Sequence, residues 1–221
     1  MYEKRKEKNE QLIFYIPISI IEDRRAVTRM DNKEVLLRVA LDLFHAKGYD
    51  AVGIQEIVDK AGVTKPTLYY YFGSKKGLLQ YLLESGYKIL QKDIEEVVKV
   101  EAELPEVLYQ IARRFFNFAS AHEKFYLFML SLFFSGRENE AFQMVLPFIE
   151  NYYGYIADVF ERDTSLRGDT RQRKMYAVGF TGVLNHHIMT ASYGLLENEM
   201  FEISDETTRE VIRQFLYGIY S

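Results

Sequence analysis

From residue 30 onward, apolar residues recur three and four positions apart, the spacing of one face of a helix. In "MDNKEVLLRVALDLFHAKGYD" the apolar positions 36, 37, 40, 41, 43 and 44 form such a stripe, closed by Gly48 at a C-cap position. Ile54, Ile57 and Val58 predict a short helix over about 54–60, ended by Ala61-Gly62, with Val63 as a buried turn residue. Thr64 then starts a second short helix, capping it through its hydroxyl, and Pro66 fits the first turn because the amide it lacks has no intrahelical partner there. That helix runs to about Phe72, where Gly73-Ser74 stops it and caps a long amphipathic helix beginning near Lys75. Beyond residue 100 the pattern predicts helices at about 105–120, 122–135, 138–162, 170–196 and 205–219. Gly168-Asp169-Thr170 and Ser204-Asp205 supply caps, and Pro105 and Pro147 are each placed near a helix start. No sustained period-2 alternation interrupts this, so the expected fold class is all-α.

Two short helices joined by a tight glycine-containing turn form a helix-turn-helix, whose second helix enters the DNA major groove. Charge changes the picture in the same direction. The net charge is −4 over 221 residues, but residues 1–76 carry +3 and residues 77–221 carry −7, so only the front third is suited to a polyanion. Apolar residues make up 48% and charged residues 27%, enough for a sizeable core. Cysteine is absent, which excludes disulfides and thiolate metal sites and fits a reducing, cytoplasmic setting. The apolar run "LIFYIPISII" is about half the roughly 20 residues that span a bilayer and is broken by Pro17, so no membrane association is expected. The mixed-charge start makes residues 1–29 an N-terminal extension, with Met30 a natural beginning.

The stretch "TKPTLYYYFGSKKG", residues 64–77, holds four consecutive aromatics. Adjacent helical positions point about 100° apart, so these rings cannot share one core. Leu68 and Phe72, four apart, are the core pair, and Tyr71 lies at the boundary. Tyr69 and Tyr70 turn outward, where a phenol can hydrogen-bond a phosphate oxygen and fix register. Lys65 and Thr67, beside Thr64 in the first turn, are placed to meet base edges: lysine can donate to guanine, and a threonine methyl can pack on thymine. Lys75, at the start of the next helix, adds its charge to the terminal amides in holding phosphate. Catalytic chemistry finds no such convergence. His45 is a packed or surface histidine, the adjacent His186 and His187 point too far apart to share a metal, and no glycine-rich loop follows a strand. No metal, cofactor or enzymatic role is therefore expected.

From Val35 to Leu83 the sequence resembles the N-terminal domain of TetR-family transcriptional repressors. The resemblance is carried by "ALDLFHAKGYDAVGIQEIVDKAGVTKPTLYYYFGSKKGLL": Phe-x-x-x-Gly-Tyr ending the first helix, Ala-Gly-Val ending the second, Thr-Leu-Tyr in the recognition helix, then Phe-x-Ser-Lys. It departs at Gly53, where the family often has Ser or Thr, and at Lys76, where the family often has an acidic residue and this chain adds positive charge at the DNA face. The resemblance implies that Gln55 also occupies a base-contacting position. It further implies a helix-turn-helix DNA-binding domain over residues 30–76 and a helical ligand-binding and dimerisation domain over 77–221. In the latter, an apolar pocket is expected from Phe115, Phe118, His122, Tyr126, Tyr152, Asn185 and His186. A homodimer interface is expected at the last two helices, at Gly179, Gly182, Ala191, Phe215 and Leu216. The expected function is a cytoplasmic homodimeric repressor, released from a palindromic double-stranded DNA operator by a small apolar or amphipathic ligand. Two alternatives stand: a DNA-bound scaffold that recruits a protein partner, and an all-helical enzyme.

Overall fold

A computed structural model of the chain describes residues 31–195 and 203–218. The extension over residues 1–29 and the start at Met30 lie outside the described residues. Within them the chain is helical and contains no strand: α1 (Asn32–Lys47), α2 (Ile54–Ala61), α3 (Lys65–Phe72), α4 (Lys75–Val98), α5 (Leu104–Ala121), α6 (Glu123–Phe133), α7 (Glu140–Arg162), α8 (Thr170–Ser192) and α9 (Asp205–Tyr217). The described residues pack as two compact units, the first running up to Ile89 and adding Lys124–Val145, the second comprising Leu90–Glu123 and the residues from Leu146 onward.

The first unit is nucleated by α1. Asp31 caps it, accepting from the amides of Lys33 and Glu34 at 2.9 and 3.0 Å, while Glu34 accepts from the Asp31 amide, a reciprocal capping box. The predicted stripe Leu36, Leu37, Ala40, Leu41, Leu43 and Phe44 is buried throughout. Phe44 stacks on Phe128 of α6 at 5.6 Å and meets Tyr49 edge-on at 5.3 Å. Ile57, Val58, Leu68, Leu78, Leu79 and Leu82 complete this core. Burial of each such side chain contributes about 1.5–3 kcal/mol.

In the second unit, Phe180 of α8 packs against Phe215 of α9 at 5.2 Å and against Phe160 of α7 at 6.1 Å. Arg113 of α5 holds the start of α9, pairing with Asp205 at 2.7 Å and donating to the Ile203 carbonyl at 2.9 Å. Tyr155 of α7 donates to Glu95 of α4 at 2.5 Å, and Gln91 donates to both. Asp169 and Ser204 cap α8 and α9 as the sequence predicts.

Three local expectations are corrected. Pro147 lies inside α7, not near its start, so the Gln143 carbonyl lacks the amide partner a regular helix would provide. Helix α8 ends at Ser192 instead of continuing to 196, because the chain turns at Tyr193-Gly194 and the Leu195 amide donates back to the Thr190 carbonyl. Val63 is half-buried, not fully buried.

Candidate nucleic-acid interface

Helices α2 and α3 are joined by Gly62-Val63-Thr64. Gly62 takes φ +68° and ψ +28°, the left-handed conformation that L side chains resist, and the Val63 amide closes the turn on the Val58 carbonyl at 3.0 Å. Thr64 then enters extended backbone and opens α3, but its hydroxyl does not cap it. Pro66 has no amide to offer, and the Thr67 amide is taken by the Thr64 carbonyl at 3.0 Å. The Thr64 hydroxyl pairs with the Thr67 hydroxyl at 2.9 Å instead.

The aromatic run divides as its periodicity predicts. Leu68 and Phe72 are buried, Tyr71 is half-buried and Tyr69 is exposed. Tyr70 is 83% exposed, which leaves its phenol free of the core. Its ring meets Tyr71 edge-on at 5.1 Å, and Phe72 packs against Tyr81 of α4 at 5.7 Å. Lys65 is exposed at the start of α3, and Thr67 is half-buried. Gln55 is exposed near the start of α2, with its amide donating to Asp59 at 2.7 Å, so pairing with a base would exchange that partner.

The turn from α3 into α4 is unusually tight. Ser74 Oγ accepts from the Gly77 amide at 2.9 Å, capping α4 as predicted. A Cβ on Gly77 would lie 1.9 Å from the Phe72 carbonyl oxygen, so only glycine lets α4 begin this close to the end of α3. Lys75 rests 4.1 Å from the centre of the Tyr49 ring, where burial lowers its pKa against the opposing pull of Asp50 and Glu140. Lys76 corrects the expectation that it simply adds charge to this face: its ammonium pairs with Glu140, the first residue of α7, at 3.0 Å. No charge pattern within residues 30–76 reveals that partner, 64 positions away.

Of the residues predicted for the ligand pocket, Phe115 and Tyr152 meet edge-on at 5.6 Å, both buried in the second unit. Burial pushes the Tyr152 hydroxyl up to about 12, with a hydrogen bond to Asn185 working in the other direction. Tyr152 is thus a neutral hydrogen-bonding group at ordinary pH. Phe118 and His122 form a second buried ring pair at 4.8 Å, Tyr126 is buried in the first unit, and His186 is exposed. An open groove of about 330 Å³ between the end of α4 and α5 is lined by Glu96, Val97, Val100, Ala102, Glu106, Val107, Gln110 and Arg114, and by none of the predicted pocket residues.

On α8, Gly179 and Gly182 are exposed, as are Met175 and Val178, giving an uncovered stripe at i, i+3, i+4 and i+7. Met175 and Val178 were not singled out from the sequence, although this spacing carries the signal. Ala191, Phe215 and Leu216 are half-buried, and Phe215 spends part of its ring on Phe160 and Phe180 of the same chain.

Residues 36–82 match the family model described as bacterial regulatory proteins, tetR family. Over 190 residues, covering 86% of this chain and 83% of the relative, the sequence is 26% identical to the HTH-type transcriptional activator FasR of Mycolicibacterium smegmatis. The fold is shared with a putative fatty acid metabolism regulator of Clostridium perfringens, at TM-score 0.70 and 23% identity, over 84% of this chain and 98% of that one. It is also shared with FadR from Bacillus subtilis, solved in complex with stearoyl-CoA, at TM-score 0.67 and 18% identity, over 84% and 98% of the two chains. The described residues contain no helix long and apolar enough to cross a membrane.

Proposed function

We propose that this chain, whose residues 36–82 match the tetR family model, is a DNA-binding transcriptional regulator that acts as a cytoplasmic homodimeric repressor, released from a palindromic operator by an apolar or amphipathic ligand. Residues 30–76 are the DNA-binding part in this reading, and 77–221 the ligand-binding and dimerising part. The observation that carries it is the outward face of α3, where exposed Lys65, Tyr69 and Tyr70 lead into the capped amino end of α4. Lys65 and Thr67 read base edges from the first turn of α3, joined by Gln55 from α2, while Thr64, Tyr69, Tyr70, Tyr71 and Lys75 engage the backbone.

Lys65→Ala is expected to cost about 1–3 kcal/mol at the operator while leaving non-specific binding nearly unchanged. Tyr70→Phe should weaken binding to all sequences alike. Equal loss of specific and non-specific affinity for Lys65→Ala, measured by anisotropy on both duplexes, would remove it from base reading.

For the ligand we infer a fatty acyl thioester, the class held by the structurally similar FadR. Phe115 and Tyr152, packed edge-on in the second unit, are the apolar interior its tail would have to open, and the Tyr152–Asn185 pair offers a polar point of orientation. Titration of the operator complex with stearoyl-CoA should release the protein, and free coenzyme A should not. Release by both, or by neither, contradicts the assignment. For the dimer, the exposed α8 stripe supplies a self-complementary surface of small and apolar residues.

A further inference from the structure

Groups from three separate stretches meet at the amino end of α4. Glu140 Oε1 lies 3.0 Å from the Lys76 ammonium, and Glu140 Oε2 accepts from the Tyr49 hydroxyl at 3.3 Å. Asn139 fixes the start of α7 beneath it, accepting from the Ala141 amide at 2.7 Å and donating to Asp50 at 2.6 Å. Tyr49 thereby engages one oxygen of the Glu140 carboxylate, and the other lies against Lys76. The neighbouring Lys75 rests instead on the Tyr49 ring and feels Asp50 and Glu140 only at longer range, without a close ion pair. Two adjacent lysines at one helix terminus thus meet different fates.

We propose that Glu140 is an internal counter-ion that occupies Lys76 in place of a DNA phosphate, and so sets how strongly this protein grips the DNA backbone. The proposal rests on the DNA-binding reading given above. A cation at the start of α4 would add to the terminal amides and to Lys75 in holding phosphate, raising affinity for every sequence without reading any base. Glu140 withholds that contribution. The two side chains are 59% and 49% exposed, so the pair contributes at most about 1 kcal/mol and its charge balance is felt at the surface. A moderated backbone grip also suits a regulator whose ligand must release it with a coupling of limited size.

The test uses the full chain, binding its operator and a random duplex of equal length between about 50 and about 200 mM salt. Glu140→Gln is expected to steepen the slope of log affinity against log salt by about 0.9 per subunit on both duplexes. It should also tighten binding about two- to fivefold per subunit at the lowest salt. Lys76→Met should leave the slope close to that of the unmodified protein, whereas Lys75→Ala lowers it by about 0.9 per subunit. Most of the gain from Glu140→Gln should be lost in the Lys76→Met background, leaving only its longer-range effect on Lys75. The proposal is overturned if Lys76→Met lowers the slope as Lys75→Ala does, if Glu140→Gln leaves the slope unchanged or reduces it, or if its gain is undiminished without Lys76. Should melting curves show Glu140→Gln to be unfolded, the comparison of Lys76→Met with Lys75→Ala decides alone. Absence of salt-dependent DNA binding by the unmodified protein would refute the DNA-binding reading, a distinct outcome.

Discussion

Gly77→Ala is expected to abolish operator binding and to destabilise the protein by about 3 kcal/mol, the upper end of what overpacking costs. The added methyl would sit 1.9 Å from the Phe72 carbonyl oxygen and 3.1 Å from its carbon. Both are backbone atoms at the last residue of α3, so no side-chain rotation relieves the clash. Relief requires α3 to shift against α4, and that displaces Lys65, Thr67, Tyr69 and Tyr70 together. The Phe72 carbonyl also accepts from the Ser74 amide at 2.8 Å, so the displacement breaks the turn that positions Ser74 as the cap of α4. Thermal unfolding and operator titration check both parts. Melting and binding equal to those of the unmodified protein would mean that the close approach of α3 and α4 is not what holds the recognition helix.

The second large effect is expected on α8. Val178 is 52% exposed in the middle of the stripe formed with Met175, Gly179 and Gly182. In a two-fold symmetric interface Val178→Glu places a carboxylate on each side of the same seam, where it loses water and faces its own copy. Dimer affinity should fall by a factor of about a thousand, corresponding to about 4 kcal/mol. Because an operator with two half-sites depends on the second domain being held near the first, its affinity should fall about a hundredfold or more. Binding to a single half-site should change little. Sedimentation velocity at micromolar protein reads the first effect and half-site titration the second. A variant that sediments as the unmodified protein would place any dimer contact elsewhere.

How far the sequence revealed these features depends on the distance between interacting residues. Helix ends governed by a residue's own neighbourhood were legible: Gly62 ends α2, Ser74 caps α4, Asp169 caps α8 and Ser204 caps α9. The division of the aromatic run into buried Leu68 and Phe72 against exposed Tyr70 followed from helical spacing alone. Thr64 shows where local reasoning stops. Its position as N-cap was readable, but its hydroxyl turns to Thr67 because the nearby amides are missing or already engaged. Lys76 shows the long-range limit. Its charge was visible in the sequence, yet its partner Glu140 is brought to it only by the packing of α7. The tightness at Gly77 was equally hidden, since a glycine near a helix start reads as a weak helix former until the Phe72 carbonyl appears beside it. In the second unit, the sequence shows many Phe and Tyr residues at helical spacing. Whether a given ring lines a cavity or fills a core depends on three-dimensional neighbours such as the Phe160–Phe180–Phe215 cluster.

In the proposed function this chain reads a specific DNA site through α3 while gripping its backbone electrostatically. Recovery of bound genomic fragments with the purified protein, followed by salt titration of the most enriched fragment and a scrambled duplex, tests it most directly. A palindromic enriched sequence is expected, with an affinity at least about a thousandfold above the scrambled duplex and a steep fall in affinity with salt for both. Equal affinity for the two duplexes, or binding indifferent to salt, would contradict it.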